Sequence, residues 1–145
     1  MSQQLETKLS ISLLLLRATI FTVFLFWGLD KILVPEHAVK VMQGFYGLSV
    51  STSAMMALGF LQIVFLLAFL FGVWKKFTYG AILALHAAST FASFGKYMDP
   101  FNNLLFFAAW PMLAACFALF ILRDFDNYVF KTKSKIKPSA NIAKA

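Results

Sequence analysis

The chain holds one cysteine, Cys116, and two histidines, His37 and His86. A lone thiol forms neither an intramolecular disulfide nor a CxxC redox pair, and it cannot build a cysteine-rich metal site. The histidines lie far apart and lack carboxylates at helical spacing, so no di-metal centre is expected and no metal is assigned. Charge is scarce as well. Charged residues are 13% of the chain, against about a quarter in ordinary soluble domains. No spacing matches a haem, flavin or iron–sulfur site, so no cofactor is expected to be held within the chain.

Apolar residues, by contrast, make up 61% of the 145 residues, and 18 of them are phenylalanine. A soluble globule of this size has too much surface to hide that much apolar area. The composition equally excludes disorder. An integral membrane protein is what remains, with the lipid bilayer as its first partner.

The formal net charge of +7 could suggest nucleic acid, but its placement does not. From Arg123 onward there are six basic and two acidic residues, so most of the excess sits in one short basic stretch. Residues 131–145 are read as a basic cytoplasmic tail lying on the anionic inner leaflet, where each basic residue gains about 1 kcal/mol. No nucleic-acid partner is expected.

A bilayer core of about 30 Å needs roughly 20 helical residues. Four stretches qualify, at about 11–33, 54–73, 77–95 and 104–122. The fold expected for residues 1–130 is therefore an all-α, integral membrane four-helix bundle. The first apolar run is too long for a signal peptide and has no small-residue cleavage site after it. With four spans, nine Lys and Arg residues fall on the side of the termini and three (Lys31, Lys40, Lys96) on the other. The excess of positive charge places both termini in the cytoplasm. Trp74-Lys75-Lys76 leaves almost no loop, which makes spans two and three antiparallel neighbours.

Between spans one and two, Pro35 sits where a helix can begin. Ala38, Val41, Met42 and Phe45 recur at helical spacing, and Gly44 and Gly47 end the pattern. A short amphipathic surface helix is expected there, either a plain lid over the bundle mouth or a functional element. Pro111 is expected to kink span four.

Ionisable groups at membrane depth are costly and normally face the interior. Counted at about 1.5 Å per residue from the cytoplasmic ends, Arg17, Gln62 and His86 fall in one layer near mid-membrane. Arg17, Phe21, Phe24, Gly28 and Lys31 share one stripe of span one. His86, Ser89, Thr90, Ser93 and Tyr97 share another on span three. Two such stripes suggest a polar cavity, and the candidate binding residues are Arg17, Gly28, Lys31, Gln62, His86, Ser89 and Thr90. Each has a structural alternative. Arg17 can snorkel to lipid phosphates, while Gln62, His86 and the hydroxyls can simply join helices. Cys116 reads as a small apolar residue, and Trp27, Trp74 and Tyr97 as interfacial anchors.

The segment Arg17–Ala38, RATIFTVFLFWGLDKILVPEHA, resembles the DoxX family of small bacterial four-helix membrane proteins. Arg17, Gly28, Lys31 and Pro35 carry the likeness, with Gly72 and Lys75 at the end of span two. It covers roughly residues 9–130. Two features depart from the family pattern. Gln62 stands where many relatives carry a Glu, and RDFDNY (Arg123–Tyr128) replaces a glycine-rich ending. If that Glu neutralises the first-helix Arg, then Arg17 here lacks an ionic partner, because no other carboxylate lies at its depth. The resemblance implies the bacterial inner membrane and a link to membrane redox chemistry, through a bound quinone or a partner's cofactor.

Three functions compete on this reading. The first is an accessory subunit of a membrane redox complex that holds a quinone-like head group in the polar layer. The second is a non-catalytic scaffold or assembly partner for another membrane protein, or for further copies of itself. The third is a small-molecule carrier, ranked last because the chain lacks inverted repeats and broken helices.

Overall fold

The computed structural model describes residues 2–130. Among these there is no strand. Six α-helices follow in order: α1 (Gln3–Leu33), α2 (Pro35–Tyr46), α3 (Thr52–Leu70), α4 (Lys75–Ala92), α5 (Phe94–Tyr97) and α6 (Ala109–Ile121). The basic tail 131–145 lies outside the described residues.

Among the described residues three stretches are long and apolar enough to cross a membrane: Gln3–Leu33, Thr52–Leu70 and Leu104–Ile121. The fourth expected span falls short on composition. α4 has 18 residues, about 27 Å at 1.5 Å per residue, but it carries Lys75, Lys76, His86, Ser89 and Thr90. α1 starts earlier than its apolar run, because Ser2 Oγ accepts the Leu5 N–H and caps a helix that runs through the polar residues before Ile11. Ser51 caps α3 in the same way through the Ala54 N–H.

Proline and glycine set the remaining boundaries. Pro35 opens α2, and Gly47, at φ 67°, closes it with its N–H on the Gln43 carbonyl. The amphipathic helix expected between spans one and two is thus present, with Ala38 as its buried residue. Pro111 does not kink a long helix. It lies in the first turn of α6, where its missing N–H is tolerated, and Leu104–Ala108 before it winds as a 3₁₀ helix.

α1 packs chiefly on α3 and α4 on α6, with α1–α6 and α3–α4 contacts completing the arrangement. Leu13, Ile20, Leu66, Phe69, Tyr79, Ile82, Cys116 and Leu119 form the core, two from each of these four helices. Cys116 serves there as a small apolar side chain. Gly59 is a point of close approach between α1 and α3. A Cβ at Gly59 would lie 3.0 Å from the Gly28 carbonyl oxygen and 2.9 Å from Lys31 Cβ. Small residues let membrane helices approach this closely. Gly59→Leu is expected to destabilise the protein by about 1–3 kcal/mol through overpacking, read as a lower unfolding midpoint in detergent, whereas Leu58→Ala on the exposed side should leave the midpoint in place.

Candidate functional site

After α6 the chain does not leave the bundle. Arg123–Phe130 turns back beneath it and binds the ends of three helices. Ser10 Oγ on α1 donates to the Phe125 carbonyl at 2.7 Å, and Asn127 Nδ2 donates to Ser10 Oγ at 3.1 Å. Lys75 Nζ at the start of α4 donates to the carbonyls of Arg123 and Asp126 at 2.7 and 3.2 Å. The Phe130 N–H reaches the Phe71 carbonyl, at the end of α3, at 2.9 Å.

The centre of this plug is a buried ion pair. Arg17 Nη1 lies 2.6 Å from Asp126 Oδ2, and the two side chains are 3% and 0% exposed. Tyr79, on α4, donates its hydroxyl proton to the same Oδ2 at 2.6 Å and accepts from Arg17 Nη1 at 3.0 Å. Arg17 Nη2 also donates to the Tyr128 carbonyl. Charge-assisted bonds of this kind are the strong ones. Arg17 Nε and Asp126 Oδ1 remain without partners among the described residues. The expectation that Arg17 lacks a carboxylate is therefore overturned. The partner comes from RDFDNY, beyond the last span, and Arg17 does not snorkel.

The expected single polar layer divides in two. α1 and α3 run antiparallel with Gly28 against Gly59, so Arg17 comes level with Gly72 in the α3–α4 turn; a Cβ at Gly72 would lie 3.0 Å from Arg17 Nη1. Gln62 sits further along, where its Nε2 donates to the Phe24 carbonyl at 2.8 Å. That carbonyl belongs to a residue seven positions after Arg17, about 10 Å away along α1. His86 shares the Gln62 level, its ring edge-on to Phe24 with centroids 6.2 Å apart. Its Nε2 meets the Ala109 carbonyl at 3.0 Å, which fastens α4 to the start of α6 and makes Nε2 the protonated nitrogen.

The other candidate residues serve packing more than a cavity. Gly28 is buried, with room for Ile63 and Gln62 against it. Lys31 is half-buried and donates to the Trp27 carbonyl of its own helix at 3.1 Å. Thr90 is buried but bonds back to the His86 carbonyl at 2.8 Å. Ser89 is exposed and departs from the inward stripe. Tyr97 is a buried group and not an interfacial anchor. Its hydroxyl donates to the Thr90 carbonyl at 3.0 Å, and burial pushes its phenol above the ordinary range.

Asp126 and Tyr79 were missed by reading the sequence, and their signal was indirect. A cation deep in span one and an acidic segment directly after span four are each anomalous alone. Together they make a pair. Among the described residues no cluster of His, Cys, Asp or Glu could hold a metal ion. No protein-family model, no curated protein and no solved structure matches the chain.

Proposed function

We propose that the chain is a DoxX-like multi-pass protein of the bacterial inner (plasma) membrane. Its four spans are α1, α3, α4 and Leu104–Ile121, with both termini in the cytoplasm. It works as a non-catalytic accessory or scaffold subunit that binds another membrane protein, a redox complex being the class its resemblance suggests. One observation carries this reading: the inward-facing polar side chains bind the chain itself. Arg17 is neutralised by Asp126, Gln62 bonds α1, and His86 bonds α6. Meanwhile α3 presents Phe60, Leu61, Val64 and Leu67 outward, a face suited to lipid or to a partner helix. The orientation draws on the basic residues Lys75, Lys76 and Arg123, gathered at the end that holds the α3–α4 turn.

Native electrophoresis of mildly solubilised membranes tests this reading. A discrete assembly heavier than the protein alone is expected, and His86→Ala should leave it intact. Migration as an isolated monomer under every mild condition would end the scaffold reading.

A second reading, a quinone-like head group near Arg17, draws on the buried Arg17 Nε, a donor without an acceptor among the described residues. His86 is a weaker candidate donor, because its protonated Nε2 already serves Ala109. Lipid extracts of the purified protein should then contain quinone in a fixed ratio to protein. Its absence from such extracts rejects the quinone.

A further inference from the structure

Beside the α3–α4 turn, a groove of about 740 Å³ is lined by Trp74, Lys75, Lys76, Phe77, Arg123 and Asp124. Its cations are oriented but not neutralised. Lys75 Nζ rests on the carbonyls of Arg123 and Asp126. Arg123 donates to the Phe120 carbonyl at 2.8 Å, with its guanidinium 4.9 Å from the Phe120 ring centre. Lys76 is exposed. The ion pairs among the described residues join Arg17 to Asp126 and His37 to Asp30, and neither involves a groove cation. Among the described residues that line the groove, Asp124 is the one carboxylate set against three positive charges.

The rim is aromatic and exposed. Trp74 is 79% exposed and Phe77 65%. Trp74 also has φ 47°, and among the described residues it is the one position other than glycine with a positive φ. A bulky side chain in that region is an outlier, and such outliers cluster at binding sites.

The geometry points to this groove as a binding site for the headgroup of an anionic phospholipid of the phosphatidylglycerol type. Lys75, Lys76 and Arg123 meet the phosphate, for which ammonium and guanidinium groups are the usual partners. Trp74, whose ring is amphipathic, and the apolar Phe77 would meet the start of the acyl chains, the depth at which tryptophan concentrates. A zwitterionic lipid brings its own cation to the same place and loses this advantage. The inference rests on the membrane reading above and adds to it a defined lipid contact at the end that carries the α3–α4 turn.

Native mass spectrometry of the detergent-solubilised full chain tests it, with phosphatidylglycerol and phosphatidylcholine offered in equal amounts. The wild type should retain phosphatidylglycerol preferentially. That preference should fall about fivefold in Lys76→Gln and about thirtyfold in Lys76→Gln/Arg123→Gln, given the attraction of each basic residue. Lys76 makes no side-chain bond among the described residues, so the single variant keeps the test sound if the double variant misfolds. Equal retention of the two lipids, or an undiminished preference in Lys76→Gln, overturns the proposal. Displacement of the lipid by millimolar inorganic phosphate would reassign the groove to a soluble anion. Carbonate extraction tests the other premise separately. Protein released from membranes sinks the membrane reading, whereas protein retained in membranes but without lipid preference sinks the groove alone.

Discussion

Asp126→Ala is expected to destabilise the protein by about 3–5 kcal/mol, the usual cost of leaving one member of a buried ion pair uncompensated. The loss should be large because the guanidinium has nowhere else to go. Arg17 is 3% exposed on its side chain, and its other bonds are to the Tyr79 hydroxyl and the Tyr128 carbonyl, neither of which carries charge. Tyr79 would lose its acceptor at the same time. The unfolding midpoint in detergent reads the effect, and protease cleavage after Leu122 reads release of the plug. Arg17→Met combined with Asp126→Leu should recover most of the stability, because apolar replacements of a buried pair are often neutral. An unchanged midpoint in Asp126→Ala would mean that the plug is not seated in solution.

Gly72→Ala is the second large effect. Gly72 has φ 67°, a conformation that costs an L-residue about 1–2 kcal/mol. Its missing Cβ also makes room for the plug. A methyl there would overlap Val129, lying 2.8 Å from its Cβ, and would press on Arg17 Nη1 at 3.0 Å. Backbone strain and overpacking together predict a loss of about 2–5 kcal/mol. Adding Val129→Gly should restore the packing share and leave the backbone share. A double variant no more stable than Gly72→Ala would show that the clash with Val129 does not matter.

How far the sequence could be read depended on whether the information was local. α2 was legible because Pro35 and Gly47 mark its ends, although Gly44, also read as ending the pattern, lies inside the helix. The facing of α1 was legible too, since Arg17 and Gly28 are both buried on one stripe. Depth was not. Counting from the edge of the apolar run assumes that a helix ends where its greasy part ends, yet α1 continues back to Gln3 and its register against α3 shifts accordingly. Arg17 therefore lies level with the turn after α3, away from Gln62. The carboxylate partner was hidden for a related reason. Asp126 lies past the final span, and no helical periodicity shows that a chain doubles back. Ser89 failed differently, because neighbouring positions on a stripe differ in burial once a real neighbour occupies one side.

The pairing of Arg17 with Asp126 has a consequence for how the molecule is made. The two residues are 109 positions apart, so a ribosome makes the positive charge long before it makes the negative one. Throughout that interval the first helix holds an unmatched cation at the level of the α3–α4 turn. Nascent chains halted short of Asp126 would therefore lack both the counter-charge and the segment that ties the ends of α1, α3 and α4 together.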